Sequence, residues 1–464
     1  MPAELRVAAP GPIAAADAPS PRSAAERIAF RQMYGTLLRA DCAGRIRPGL
    51  ADAWRSADGG HRWTFHLRGT ARFWDGTQVT AGDVVWSWRR LSESRTASGA
   101  EGGLALDGPT LLDVPPALPD SVVTVDAATL EVYYGDAPSA AAFADPRLAV
   151  LRAGAGIWPL GSGPLRPVSP SGADSGSLVL GPALGPGPTV ILLSGVGGQE
   201  GDERDLLDAG VDVVLTSDLH TRRYAETLPG YAVLPAPWSR TYALAVPRAS
   251  ERDGGRPDPA RADTAAYGAR AESEALDALR VSLARDAVRE EAVPAAPLVW
   301  RTLPACASDP PVRGGRRSGR PPRLAFSMAD GPARDLADRL VALASSPQET
   351  GPEGRAASGL LGAQRGLDWR TLPLVGQVLD VSVRAAEESA YIVTLPRRVL
   401  DPCAARRALA AALPWLAGEG ALVPLVDTRP AVFVRDQVTG LTVDFDGTPR
   451  LDRAGRRADG GGRP

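Results

Sequence analysis

Strand-type and helix-type hydrophobic periodicities alternate along this 464-residue chain, and that alternation restricts it to an α/β architecture of sheets covered by helices. Residues 4–8 read as an opening strand, and the Pro/Ala-rich stretch behind them leads to a helix expected over 24–38. Trp63, Phe65 and Leu67 alternate with polar neighbours, which marks a half-buried strand within 60–68. Asp75-Gly76 is a turn signal, and Thr80 with Asp83 three residues on forms a variant capping box at the head of the next helix. Two strands around an Asp126 turn fill 122–134. The span 178–214 reads as strand, Gly/Pro turn, strand, Gly-rich loop, helix and strand. The hydrophilic stretch 248–271 has the composition of a surface linker, with a helix expected after it over 272–291. Strands at 323–327, 377–383 and 390–395, helices at 332–345 and 403–417, and a strand-rich tail over 421–451 complete the series.

Composition narrows the function classes. Gly and Pro together make a fifth of the chain, against about 12% in average proteins, so the connections are many. The net charge is −2, with acids and arginines mixed along the chain, which argues against a nucleic-acid partner or a polybasic membrane role. All 52 basic residues are Arg, and neither Lys nor Asn occurs, a bias spread over the whole chain. A hydrophobic content of 44% excludes wholesale disorder. No apolar run approaches the roughly 18 residues of a spanning helix. The first dozen residues, MPAELRVAAPGP, show neither a basic n-region nor an apolar h-region, so the chain is expected either to be cytoplasmic or to have lost a leader. Cys42, Cys306 and Cys403 are too few and too scattered for a zinc cluster, and leave two readings: three ordinary thiols, or a Cys306–Cys403 disulfide. His61 and His66, five apart in a strand, point to opposite faces and make a poor metal pair.

Several motifs invite a chemical reading and fail it. The strand 189–193 followed by Ser194-Gly195-Val196-Gly197-Gly198 suggests a dinucleotide loop, yet Glu200 stands where the third glycine belongs. Glu200, Asp202 and Glu203 also put negative charge where a pyrophosphate would sit. Asp444-Phe445-Asp446-Gly447 lacks the closing Glu of a calcium loop and reads as a hairpin turn. Arg313, Arg316, Arg317 and Arg320 lie in a solvated loop without interleaved aromatics. No nucleophile elbow, zinc pair or phosphate loop is present, so no enzyme activity, metal or cofactor is expected. The ten tryptophans are read as mostly core, with one or two lining a ligand cleft.

Three consecutive stretches carry a resemblance: Tyr34-Gly35-Thr36-Leu37-Leu38, Arg47-Pro48-Gly49-Leu50-Ala51-Asp52-Ala53-Trp54, and WTFHLRGTARFWDGTQVTAGDVVWSWRRL at 63–91. Together they resemble extracellular solute-binding protein family 5, the receptors of peptide and nickel ABC transporters, and Thr96-Ala97-Ser98 is similar to its oligopeptide branch. Weaker likenesses follow in the family's order at Gly161-Ser162-Gly163-Pro164-Leu165, at 207–213, at 279–286 and at Leu422-Val423-Pro424-Leu425. The resemblance implies a two-lobed periplasmic-binding-protein-like fold of type II, with an extra subdomain in lobe 1 and a hinge between the lobes. On this sequence lobe 1 is expected over 1–268, with the subdomain at about 46–164, a shortened lobe 2 over 269–424, and a segment returning to lobe 1 over 425–464.

The implied role is capture of a peptide-like or small anionic solute and its delivery to a membrane permease. The partners are the ligand and an ABC permease, with no nucleic acid. The protein would act as a monomer in the periplasm or otherwise outside the cytoplasm, free or lipid-anchored. A sensor or interaction module without transport is the alternative. On the resemblance, the segment after the first strand (Gly11, Ile13, Ala14) and the run containing Leu395, Arg397 and Arg398 line the site. There Leu395 replaces a family Trp, and Arg398 replaces the acid that holds a peptide ammonium. A guanidinium at that place favours carboxylate or phosphate.

Overall fold

The computed structural model describes residues 4–97, 118–168, 176–196, 203–217, 219–234, 236–246, 262–286, 292–301, 323–327, 330–345, 351–361, 370–374, 389–412 and 422–457. The chain divides into two compact units, the first made of 1–100, 116–237 and 430–464, the second of 101–115 and 238–429.

The first unit opens with β1 (Glu4–Pro10), α1 (Ala24–Met33), β2 (Leu38–Ala40) and β3 (Ile46–Pro48). The helix ends earlier than the expected residue 38 because Tyr34 turns extended and Gly35 bridges to Val150. Then come β4 (Ala51–Ala57), β5 (Arg62–Leu67), α2 (Ala81–Ala97), β6 (Ser121–Thr124) and β7 (Thr129–Tyr133). These strands form an antiparallel sheet in the order β4-β5-β7-β6. The alternation seen in the sequence is real: Trp63, Phe65 and Leu67 face a core that also holds Phe73, Val84, Trp88 and Phe143. This is a self-contained cluster around Phe143, whose ring lies 4.6 Å from Phe65 and 5.2 Å from Trp63.

The short pair β8 (Leu151–Arg152) and β9 (Leu160–Gly161) precedes β10 (Leu165–Pro167), β11 (Ser177–Pro182), β12 (Thr189–Val196), α3 (Glu203–Asp208), β13 (Val213–Thr216), α4 (Leu219–Thr227) and β14 (Tyr231–Leu234). The second unit follows with β15 (Arg240–Ala245), α5 (Ala262–Asp286), β16 (Ala292–Pro294), β17 (Arg323–Ser327), α6 (Gly331–Ser345), α7 (Pro352–Leu361), β18 (Arg370–Leu374), β19 (Ser389–Pro396), α8 (Pro402–Ala412) and β20 (Leu422–Thr428). The chain then returns to the first unit as β21 (Ala431–Arg435), β22 (Val438–Thr439), β23 (Thr442–Val443), β24 (Pro449–Arg450) and β25 (Gly455–Arg456).

The main sheet of the first unit has the order β10-β11-β12-β1-β13-β21-β14, with β1 parallel to both its neighbours. Leu5, Val7 and Ala9 pack on α1, whereas Ala8 faces Leu207, Val211, Val214 and Phe433. A central parallel strand buried on both faces is what an α/β sheet requires. In the second unit the order is β16-β20-β15-β19-β17-β18, with β17 parallel to β18 and β19. One face meets α5, α6 and α7 through Tyr242, Leu244, Leu324, Phe326 and Ile392; the other packs Ala243, Val393 and Leu395 with Trp300 and Leu409.

Three sequence expectations differ from the structure. Residues 262–271 belong to α5 rather than to a linker. The helix α7 and the strand β18 were not anticipated, and the strand expected at 377–383 lies outside the described residues, as does the loop with Arg313, Arg316, Arg317 and Arg320. Among the described residues the compact units meet in the chain at 237/238 and 429/430, where the resemblance implied 268/269 and 424/425. The reason is structural, since β15 and β20 are neighbouring inner strands of the second sheet and cannot be divided from it. Asp444 to Gly447 does form a hairpin turn, closing β23 on β24. Cys403 is disulfide-bonded, Cys42 is not, and Cys306 lies outside the described residues. No described helix is long and apolar enough to cross a membrane.

Candidate functional site

The first expected segment follows β1 at the head of α1. Gly11 has φ +93°, and a Cβ there would come within 2.6 Å of Ser23 Cβ, so the position accepts only glycine without distortion. Ser23 is the N-cap of α1: its Oγ accepts from the Glu26 amide at 3.0 Å and donates to the Pro12 carbonyl at 2.6 Å. Glu26, 1% exposed, turns its carboxylate back to accept from the Ala14 amide at 2.8 Å and the Arg22 amide at 2.6 Å. The bend from Gly11 to Ala14 is therefore held by the capping box Ser23-x-x-Glu26, a signal legible in the sequence but not read there. Ile13 is 1% exposed and belongs to the core of the first unit rather than to any surface, so of the expected residues here only Gly11 and Ala14 retain partial exposure.

Immediately beyond Ala14 the first unit holds a cavity of about 300 Å³. Ala15 and Ala16 form one edge, Trp86 and Arg90 of α2 a second, and Arg152 with the loop from Ala153 to Pro159 a third. Trp86 and Trp88 lie two residues apart on a helix and so point to different sides: Trp88 is 3% exposed in the core and Trp86 is 41% exposed. Thr80 and Asp83 build the head of α2. The Asp83 carboxylate accepts from the Thr80 amide and hydroxyl, both at 2.7 Å, and from Arg152 Nε at 2.5 Å and Nη2 at 2.8 Å. Burial works to raise the Asp83 pKa, and the Arg152 and Thr80 hydrogen bonds outweigh it, leaving the carboxyl below its ordinary value. Arg152 is also stacked over Phe73, with Cζ 4.3 Å from the ring centroid. Sequence reading expected one or two of the ten tryptophans to line a cleft without saying which, and it named none of Arg90, Arg152 and Ile157.

The other expected segment lies in the second unit, where β19 ends. Leu395 is wholly buried in the core beside Trp300 and Leu409, so it packs the sheet instead of lining a surface. Arg397 is committed to its own unit: its amide donates to the Ser239 carbonyl at 2.8 Å, and Nη1 donates to the carbonyls of Ala296 at 2.6 Å and Pro297 at 3.0 Å. Its Nε is 3.4 Å from Asp427, a 4% exposed residue that also accepts from Thr241 Oγ1 at 2.6 Å and the Ala296 amide at 3.3 Å. Burial pushes the Asp427 carboxyl up, against the pull of Thr241 and Arg397. Asp401 then caps α8, accepting from the amides of Cys403 and Ala404. Arg398, Val399 and Leu400 are thereby carried on a short connection pinned at both ends, and Arg398 is half-buried. Among the described residues no cluster of His, Cys, Asp or Glu could hold a metal ion.

Both units have sheets buried on two faces, and among the described residues the chain passes between them at 237/238 and 429/430. This is the fold of the two-lobed periplasmic binding proteins, which the chain matches over nearly its full length. The nickel-binding NikA of Staphylococcus aureus, solved with Ni(L-His)2, aligns with TM-score 0.61 and 11% identity over 98% of this chain and 100% of that one. The murein tripeptide binding protein MppA of Escherichia coli aligns with TM-score 0.58 and 14% identity over 98% of each chain. The binding protein AgaA of A. tumefaciens R10, solved with agropinic acid, gives TM-score 0.59 and 13% identity over 98% of this chain and 99% of that one. Residues 45–165 match the family described as bacterial extracellular solute-binding proteins, family 5 Middle. The periplasmic oligopeptide-binding protein OppA of Salmonella typhimurium is 47% identical over 68 residues, 15% of this chain and 12% of that protein. MppA of Escherichia coli is 39% identical over 109 residues, 22% of this chain and 20% of its own length. The chain thus spans in sequence only an eighth to a fifth of these curated relatives.

Proposed function

We propose that this protein is the substrate-binding component of an ABC transporter, which captures a peptide-like or small anionic solute and delivers it to a membrane permease. The observation that carries the reading is the binding-protein fold running through 98% of the chain and accounting for 97 to 100% of its structural neighbours. The family segment at 45–165 supports it from the sequence side. Relatives named for oligopeptides, murein peptides, nickel–histidine and agropinic acid mark out the range of solutes. An anionic solute is favoured over an ordinary zwitterionic peptide because Arg398 stands at the position where the oligopeptide branch carries its ammonium-binding acid. Gly11 and Ala14 shape the approach on the first unit, and Arg397 holds the strand end that presents Arg398.

The protein works as a monomer outside the cytoplasmic membrane, free or lipid-anchored, without catalysis. The disulfide at Cys403 suits an oxidising compartment. Isothermal titration of the purified chain against tri- to pentapeptides and small organic anions tests the reading. Saturable binding of an anion that weakens at least about tenfold in Arg398→Ala is the expected result. Tight binding of an unmodified zwitterionic peptide, indifferent to that substitution, sinks the anion preference, and absence of any ligand sinks the receptor role.

A further inference from the structure

The geometry points to a phosphate-binding site on the first unit, with Arg39 and Arg68 as its two ligating guanidinium groups. The site is separate from the solute-binding reading and does not depend on it. Its parts are brought together along β2. Gly49 and Ala51 both donate their amides to the Leu37 carbonyl at 3.0 Å, and Arg68 donates its amide to the Leu50 carbonyl at 2.9 Å, so the end of β5 lies beside the start of β2. The approach is close: a Cβ on Gly49 would stand 2.3 Å from the Thr36 carbonyl oxygen. Just past the other end of β2, Asp41 bridges to Asp444, which sets the hairpin β23–β24 against it. Leu38 and Ala40 turn inward and Arg39 outward, directly opposite Arg47 on β3. Side chains opposite one another on a ladder stand about 5 Å apart, and like charges there repel.

The acids of this region are already matched. Asp41 accepts from Arg45 Nε at 2.9 Å and from Arg47 Nε at 3.1 Å. Asp444 lies 3.2 Å from Arg31 Nε and 3.4 Å from Arg450 Nη1, and Asp452 lies 3.6 Å from Arg450 Nε. The Arg39 and Arg68 side chains make neither a hydrogen bond nor an ion pair among the described residues. Arg68 is half-buried with its Nε enclosed and without an acceptor, which fixes the guanidinium by its inner edge and leaves the Nη edge to carry a contact. The surrounding protein and the Arg450 and Arg68 charges lower the Arg39 pKa from its ordinary value, against the pull of Asp444 and Asp452. Arg39 and Arg68 thus repel each other with no acid bound to either. A carboxylate, with one charge and two oxygens, matches one guanidinium fork, whereas a phosphate dianion has the charge and the oxygens to engage two. Asp41 and Asp452 keep 22% and 21% exposure, and a continuous anionic bilayer would press on both, so the fit is to a single small phosphate group.

The test titrates the full chain with inorganic phosphate and, for comparison, acetate, in low-salt buffer where surface charges are little screened, read by calorimetry and by phosphorus NMR line width. Phosphate should bind saturably with a Kd of about 5 mM or tighter, and at least about tenfold more tightly than acetate. Arg39→Gln and Arg68→Gln should each weaken it at least about fivefold, and Arg55→Gln, an exposed arginine of β4, should leave it unchanged. Arg39 is exposed, so its substitution reports on the site even where Arg68→Gln disturbs the fold. Phosphatidylglycerol vesicles should bind the chain no better than phosphatidylcholine vesicles. Phosphate binding weaker than about 5 mM, equal affinity for acetate, parent-like binding by Arg39→Gln, or selective binding to the phosphatidylglycerol vesicles each overturns the assignment. The solute-binding reading falls separately, when the peptide and organic-anion set above yields no ligand at all.

Discussion

Arg31 shows how one buried charge ties distant parts of the first unit together. Its side chain is 9% exposed, with Nε 3.2 Å from Asp444, Nη2 2.9 Å from Asp446 and Nη1 donating to the Ala144 carbonyl. The acids that looked like half a calcium loop are therefore the partners of a helix arginine, and they anchor the hairpin β23–β24 to α1. Burial works against the Asp446 carboxylate, but the Arg31 and Arg27 charges and the Thr448 hydrogen bonds outweigh it and hold its pKa at about 2, below an ordinary value of 3.8. Asp444 goes the other way, raised by burial against the pull of Arg31 and Arg450. A lowered folded-state pKa contributes stability above the unfolded value that is lost as pH falls, so Asp446 makes the fold acid-sensitive between about pH 4 and 2. Asp444 offsets part of that slope, because its contribution is lost as pH rises through its raised pKa. Urea midpoints measured from pH 5 to 2 should fall less steeply in Asp446→Asn than in the parent. Arg31→Met, which strands the buried Asp444 carboxylate and the half-buried Asp446 one, should cost about 3–5 kcal/mol in chemical denaturation at neutral pH.

At the scale of elements, close backbone approach explains why the turn Gly161-Ser162-Gly163-Pro164 resembles a family motif. A Cβ on Gly163 would stand 2.3 Å from the Gln32 carbonyl, and one on Gly161 2.3 Å from the Met33 carbonyl. Both glycines let β9 and its turn lie against the end of α1, and the Ser162 hydroxyl receives the Gly35 amide at 3.1 Å. Gly163→Ala should lower stability by about 1–3 kcal/mol, whereas Gly69→Ala, with open space around it, should stay within about 0.5 kcal/mol in the same denaturation assay. Elements whose signal is local were legible in this way: the alternation of β5, the Asp126 hairpin and the box that opens α2. The stretch 262–271 was misread because its polar residues look like a linker, although Ala, Arg and Glu are strong helix formers and α5 uses them from Ala262 onward. Leu395 could not be told from a surface residue, because the face on which it packs is set by its strand neighbours.

For the whole molecule, two properties can be measured directly. Any ligand that binds only the folded chain should raise its unfolding free energy, by about 2.7 kcal/mol at a hundred times Kd, so a thermal-shift screen of organic anions reports binding before the ligand is identified. Reduction of the disulfide at Cys403 should lower the urea midpoint by an amount equivalent to about 2–5 kcal/mol, with Cys403→Ser reproducing the loss and Cys42→Ser leaving the midpoint in place.

What the amino-acid order determined alone is what depends on near neighbours: the α/β alternation, the run at 63–91 that carries the family, and the arginine-only basic chemistry available for recognition. Tertiary structure decided which of those arginines are consumed. Arg31, Arg152 and Arg397 are bound by Asp446, Asp83 and Asp427, partners between 30 and 415 positions away along the chain. It also decided that Trp86 opens onto a cavity while Trp88, two residues on, is core. The physical reason is that burial and charge pairing are properties of the packed assembly, and no local pattern reveals which distant carboxylate or wall a side chain will meet.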